Sequence, residues 1–463
     1  MVCLRNPLQP VNRLPPEIIA LCAAFVPHTD PRPIVSLTHV CRYWREAITS
    51  NPGSWTLIGS DWKELVPLCL ERAGAAPLTA NIWVSDIKED GDFTQALLPH
   101  VPRISHLSLR GYPFIRKLEA VLPNFFASPM LNLTSLELDQ DGESANLFPS
   151  KEAPTPQLFQ NVSKLKSLHL SGIPLYPVLH NIESLVELKL AGYRFPFQEF
   201  IGFLESNPNL EILDLDISFP STPALTAPER CVSFPRLRRL SLDCEFPINT
   251  RVLLSCLSLP RGVKIEVRHP DWDTHDLASF LPCPSTHIQD LLAPITTIKH
   301  SPSPGWLHLS GNNGSFSFYS QKTLKRLYEE FTLFATTAVR EFHLPLGNQA
   351  RLSWALERLP ALETLIITGG RLGPEFLSAL AGEPVLCPSL NTIAFLDCEV
   401  TGEAVCGLEG ILAKREHSTA ARLHRVAIVN RTVDLPNQRL VSQLQKFVPR
   451  VDIAVGDELP DSL

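Results

Sequence analysis

Apolar positions along this chain keep two different rhythms. Between Leu14 and Ile48 they follow a helical period. Ile18, Ile19, Cys22, Phe25 and Val26 form one stripe, at the spacing of an amphipathic helix. Pro15 and Pro16 precede it and Glu17 sits in its first turn; both features suit a helix start. PHTDPRP (27–33) interrupts the pattern. Ile34, Leu37, Val40, Cys41, Trp44, Ala47 and Ile48 then form a second stripe, expected as one helix stopped by Asn51-Pro52-Gly53. So small a helical unit buries too little by itself, and its apolar face needs a neighbouring domain, a partner, or both.

Past residue 80 the rhythm becomes a repeated phrase. PRISHLSL (102–109) is matched at 208–215, 235–242, 360–367 and 388–395. The core L-x-x-L-x-L returns at Leu133/Leu136/Leu138, Leu165/Leu168/Leu170 and Leu185/Leu188/Leu190, with looser copies ending at Leu344 and Ile428. From Leu109 to Leu242 the copies lie 20 to 32 residues apart. This is the leucine-rich-repeat signature: a short strand turns two leucines inward, and units that cannot bury their faces alone stack on one another. The expected fold class is α/β, a small helical module followed by an irregular repeat solenoid with a curved parallel sheet. Weaker strands are expected at 82–84 and 451–455. Helices are expected between strands at 197–207, 323–335 and 352–359. The expected divisions are 11–58 for the helical module, 59–80 for a linker helix and 81–457 for the repeats. Inserts interrupt the repeats near 143–160, 216–235 and 268–320, and GNNGSFSFYS (311–320) reads as a hairpin or exposed loop.

Composition narrows this picture. Forty-two prolines mean many short elements. The net charge of −7 argues against a phosphate backbone as the main partner. Eleven cysteines lie scattered without a CxxC, so Cys22, Cys41 and Cys256 read as reduced, buried thiols of an intracellular protein. IIALCAAFV (18–26) is too short to span a bilayer, and no signal peptide is apparent. A soluble chain, cytoplasmic or nuclear, is expected, with no membrane and no nucleic-acid partner.

Three fragments taken together carry a family resemblance: Leu14-Pro15-x-Glu17-Ile18-Ile19, Val40-Cys41-Arg42-x-Trp44-Arg45, and Asn51-Pro52-x-x-Trp55. In this order and spacing they resemble an F-box, and the stretch at 62–84 is similar to the F-box families of filamentous fungi. Asp30-Pro31-Arg32-Pro33 makes the motif longer than its simplest form. The resemblance implies docking on Skp1, and through it on a cullin, with the repeats holding an unknown target protein for ubiquitin transfer. By position it implies that Leu14, Pro15, Ile18, Ile19, Leu37, Val40 and Trp44 supply the Skp1 contact. Trp55 would instead pack the module onto the domain behind it. An alternative keeps the repeats as an interaction scaffold with no ubiquitin role and makes the helices a mere cap.

Catalytic motifs are not found. GxxxxGK[ST], GxSxG and HExxH do not occur, and no catalytic residue, cofactor or metal site is assigned. DWDTHD (271–276) lacks the glycine and glutamate of a calcium loop and reads as solvated. Cys283 and His287 lack a third, orienting group. Arg236, Arg238 and Arg239 read as a solvated face that can meet an acidic partner. Trp306, Phe316, Phe318 and Tyr319 are either core or, where exposed, a binding hot spot. An enzyme with a site in 268–320 would need convergent polar groups in a pocket.

Overall fold

The computed structural model describes residues 10–24, 32–84, 92–111, 128–140, 162–172, 182–219, 231–244, 246–269, 280–281, 293–301, 306–320, 336–345, 352, 356–373, 380, 387–400, 402–417, 422–430, 442 and 444–455. It is mixed α/β, with mostly parallel strands, and it falls into two compact units, Met1–Ser221 and Thr222–Leu463.

In the first unit, α1 (Pro16–Ala24), α2 (Arg32–Thr38) and α3 (Arg42–Thr49) pack together. The single helix expected over 34–48 is two. Cys41 adopts extended backbone (φ −163°, ψ 174°) between them. The Thr38 carbonyl left over at the break accepts from Arg45 Nε at 3.0 Å, and that bond makes the interruption tolerable. Asn51 accepts from the Gly53 amide and opens a 3-10 turn that delivers Trp55 inward. Trp55 is 1% exposed, donates to the Ile48 carbonyl at 2.9 Å and lies under the Arg72 guanidinium, 4.3 Å from the ring centre. Arg72 belongs to α4 (Val66–Ala73), the helix leading into the main strands, so Trp55 packs as its sequence position implied. Gly74 (φ 53°) ends α4.

Seven strands follow as one parallel ladder: β1 (Leu57–Gly59), β2 (Leu78–Trp83), β3 (Ile104–Arg110), β4 (Ser135–Asp139), β5 (Ser167–Ser171), β6 (Glu187–Arg194) and β7 (Ile212–Ser218). The ladder begins inside the stretches expected as helical module and linker, at β1 and β2. The phrase leucines stand in register, Leu107–Leu136–Leu168–Leu188–Leu213 and Leu109–Leu138–Leu170–Leu190–Leu215, all buried. The first leucine of each phrase closes the preceding turn. Leu133, Leu165, Leu185 and Leu210 donate their amides to the carbonyls of Met130, Val162, Ile182 and Asn207. Helix α5 (Asp92–Leu97) follows β2, and the expected helix near 197–207 forms as α6 (Phe197–Glu205), burying Phe200, Ile201, Phe203 and Leu204.

The second unit continues the pattern with β8 (Val232–Ser233), β9 (Arg239–Cys244), helix α7 (Pro247–Ser255), β10 (Leu257–Ser258), β11 (Lys264–His269), β12 (Ile295–Ser301), β13 (Trp306–Gly311), β14 (Gly314–Ser320), β15 (Glu341–Pro345), β16 (Thr364–Thr368), β17 (Arg371–Leu372), β18 (Thr392–Leu396), β19 (Glu399–Val400), helix α8 (Gly402–His417), β20 (Arg425–Asn430) and β21 (Arg450–Val455). Its main ladder runs β9–β11–β14–β13–β12–β15–β16–β18–β20–β21. The stretch at 295–320, expected as part of an insert, supplies three of these strands. After β11 the chain enters the ladder three places away as β12, then folds back through the antiparallel β13 to set β14 beside β11. GNNGSFSFYS is accordingly a hairpin. Its Gly311 is obligatory, because a Cβ there would lie 2.2 Å from the Pro294 carbonyl oxygen. Both ladders are open sheets, neither closed nor curled.

The thiols differ in part from expectation. Cys22 is exposed and Cys41 half-buried, whereas Cys256 is buried as expected; all three are free. α1 is short and turns Cys22 away from the side that packs. In the second unit Arg415 is 2% exposed and donates to the Cys387 carbonyl at 2.7 Å, holding a residue with left-handed backbone (φ 52°). The expected helix at 323–335, the insert at 143–160 and the DWDTHD stretch (271–276) of the insert expected at 268–320 lie outside the described residues.

Because Trp55 joins the helices to α4, Trp55→Ala should destabilise the fold by about 3–5 kcal/mol in urea unfolding. Trp44→Ala, at a half-buried position, should cost distinctly less. Equal effects would refute the assignment of Trp55 as the joint.

Candidate functional sites

The N-terminal helices leave apolar surface uncovered. α1 buries Ile19, Ala20 and Ala23 but exposes Ile18 and Leu21, so it is apolar on both sides. A helix with that pattern belongs in an interior. Ile18 is 41% exposed and Val40 55%. Of the seven large hydrophobic residues exposed among the described residues, five lie between Val11 and Val40, and this concentration makes the segment the candidate docking surface.

The seven residues assigned to this face do not behave alike. Leu14, Pro15, Ile18 and Val40 are exposed, Leu37 and Trp44 are half-buried, and Ile19 is buried at 1%. Ile19 therefore holds α1 in place and cannot present itself to a partner. Trp44 donates to Asn12 Oδ1 at 2.8 Å, and the Tyr43 hydroxyl donates to the Leu14 carbonyl at 2.6 Å. These two bonds tie the segment before α1 to α3. Val11 and Leu21 were missed in the sequence. The spacing Leu14, Ile18, Leu21 (i, i+4, i+7) carries the signal: the first two are among the assigned residues, and Leu21 continues their row where the assignment takes Ile19 instead.

The other feature is the sheet face opposite the leucines, where the variable positions of the phrase stand. In the first unit Glu137 of β4 accepts from Arg110 Nη2 at 2.9 Å and from Ser108 Oγ at 2.8 Å on β3, and lies 3.3 Å from His169 Nδ1 on β5. The His169 contact and, against the opposing effect of burial, Arg110 and Ser108 hold its carboxyl at about 2. Glu187 accepts from Ser167 Oγ and pairs with Lys189. In the second unit Glu266 lies between Arg239 (3.0 Å) and Arg268 (3.6 Å). Glu341 lies between His343 and Lys299 and is likewise held at about 2. Asp452 is met by Arg425 and Arg450. Farther along that face Ile366, Ala394 and Ala427 are buried and packed with Leu396.

The aromatic group at 306–319 divides between the two faces. Phe316 and Phe318 are fully buried, while Trp306 and Tyr319 are half-buried on the polar face, ring centres 4.9 Å apart. Arg239 pairs with Glu266; Arg236 and Arg238 are exposed in the approach to β9. No group of three or more His, Cys, Asp or Glu among the described residues is placed to hold a metal ion. DWDTHD, Cys283 and His287 lie outside the described residues. Among the described residues no helix is long and apolar enough to cross a membrane. No protein-family model matches the chain, and no curated protein is significantly similar to it.

The depressed carboxyl of Glu137 gives a pH dependence with a definite sign. Above its ordinary value of 4.5 the group is ionised folded or unfolded, and its pairing stabilises the fold. That contribution is lost as pH falls from 4.5 towards 2, where the folded protein also takes up the proton. Glu137→Gln should therefore lower stability at neutral pH and flatten its decline across this window. An unchanged acid limb would show that the network does not form.

Proposed function

We propose that the chain is a substrate-recognition adaptor of a Skp1–cullin–F-box ubiquitin ligase. In this reading the N-terminal helices are an F-box that docks Skp1, and the strand ladders belong to an irregular leucine-rich-repeat solenoid that holds a target protein. What supports it above all is the uncovered apolar surface from Val11 to Val40, in a segment whose ordered residues already resemble an F-box. Covering each such side chain is worth roughly 1.5–3 kcal/mol. The chain itself performs no bond chemistry in this scheme. It raises the effective concentration of a target lysine beside the transferring enzyme, a contribution of proximity alone.

The alternative, a repeat scaffold whose helices only cap the first strands, would have Ile18 and Val40 covered by the chain's own residues. Their exposure favours the adaptor. Leu14, Pro15, Ile18 and Val40 would then meet Skp1 directly, Leu37 and Trp44 in part, and Ile19 would act by supporting α1.

Co-purification with Skp1 tests this. The parent should capture Skp1 in equal amounts, and Ile18→Asp/Val40→Asp should bind about 100-fold more weakly or worse, from two lost apolar contacts. Leu131→Asp, at a residue exposed elsewhere, should bind like the parent. A parent that captures no Skp1, or an Ile18/Val40 variant that binds normally, would overturn the proposal.

A further inference from the structure

We propose that the polar face formed by β9, β11, β14, β13 and β12 binds an acidic segment of a partner protein, anchored on Trp306 and Tyr319. The first observation is local charge. The chain as a whole carries 41 Lys and Arg against 48 Asp and Glu, but residues 231–269 carry seven against three. The ladder concentrates this excess at one end of neighbouring strands. Arg239 and Lys264 are register partners, Arg236 and Arg261 are exposed just ahead of them, and Arg268 lies farther along β11. Glu266 accepts from Arg239 and pairs with Arg268, so one carboxylate answers two guanidiniums and positive charge remains in excess. Lys299, exposed on β12 and paired with Glu341, borders the far side of the hairpin.

The second observation is the antiparallel hairpin itself. It puts two aromatic rings on the face where the flanking strands β9 and β11 display charged side chains. Trp306 and Tyr319 are register partners, with ring planes 50° apart. Trp306 also stacks on His308, nearly parallel at 5.6 Å. Their neighbours on the same face are Ser310, Ser315 and Ser317, so the rings stand above a floor of serines beside Arg268, the register partner of Tyr319. Phe316 and Phe318 fill the core from the opposite side of the same strand and fix the hairpin in place. Rigid aromatic area beside one arginine, with Lys264 and Arg239 four residues back along the same strands, suits an extended acidic peptide that lays an anchor on the rings and carboxylates along the cations.

The occupant is a protein segment rather than a polynucleotide. Asp243, Glu266 and Glu341 are interleaved with the cations, so the surface offers separated cationic points, which match the spaced acidic side chains of a peptide better than the continuous charge of a phosphate chain. This deepens the adaptor reading by giving the target's chemistry, and it rests on that reading only in calling the partner a target. The binding belongs to residues 231–345, and Skp1 capture belongs to residues 10–49, so either can fail without the other.

The test is binding of the full chain to an array of peptides of one length, graded in net charge from strongly acidic to strongly basic, with oligo-dT as the competing class. Signal should rise with negative charge and weaken with salt. Trp306→Ala should lower acidic-peptide binding about tenfold, and Arg261→Glu/Lys264→Glu, at exposed sites, should shift the preference towards basic peptides. Lys446→Glu, also exposed, should change nothing, and circular dichroism should match the parent throughout. A response flat across the charge series, preferential binding of oligo-dT, or a charge-reversal variant with the parent's preference would overturn the proposal.

Discussion

The register of two buried apolar residues per strand is the constraint on which the rest of this structure depends. In a parallel ladder a shift by one residue exchanges the two faces of a strand. With Leu107 and Leu109 aligned on Leu136 and Leu138, and those on the next pair, every variable position of the phrase is fixed on the opposite face. Glu137 meets Ser108 and His169 for this reason alone: they are its register partners on either side. The same rule places Glu266 near Arg239 and Arg268, and Glu341 beside Lys299. The leucines thus set the geometry of the polar face without touching it.

The N-terminal helices are under a different constraint. They have no ladder to join, and α1 is apolar on both sides. Burial of Ile19, Ala20 and Ala23 against the other helices leaves Ile18 and Leu21 outside, and no rotation of so short a helix can cover both sets. Trp55 resolves the matter at one end, because its ring finds Arg72 and its indole N–H finds the Ile48 carbonyl. Nothing in the described first unit does the same for Ile18 or Val40. The uncovered face is a consequence of helix length and composition, and its position follows from where Trp55 anchors the module.

Strands that repeat L-x-L were legible in the sequence because period-two alternation and turn closure by the first leucine act together. β11 was not legible: KIEVRH carries no leucine, though Ile265 and Val267 take the same rows as Leu240 and Leu242. β12 breaks the pattern further, placing a buried histidine, His300, in a row otherwise apolar. The interruption between α2 and α3 was hidden because Val40 and Cys41 continue the helical stripe. Only the Arg45 bond to the Thr38 carbonyl reveals why the backbone can leave the helix there. The candidate docking face was legible in kind but not in phase, since spacing alone does not say which of Ile18 and Ile19 turns inward. The split of the 306–319 aromatics became readable only once β14 was known to be a strand, with alternate residues on alternate faces.

The electrostatics of the polar face bear on what such a surface is suited to do. A general acid or base works best with a pKa near the operating pH. Glu137 and Glu341 are held at about 2 instead, each by a histidine together with a cation on a neighbouring strand. Their charges are therefore fixed across the physiological range, and their positions are set by partners on adjacent strands. Burial alone would have pushed both carboxyls upward, towards usable proton affinity; it is more than offset for Glu137 by His169, Arg110 and Ser108 on the two neighbouring strands, and for Glu341 by His343 on its own strand and Lys299 on the next. Carboxylates that stay charged and braced by their neighbours exchange protons poorly and hold a fixed pattern of potential, and a fixed pattern is suited to discriminating between charged segments rather than to acid–base chemistry.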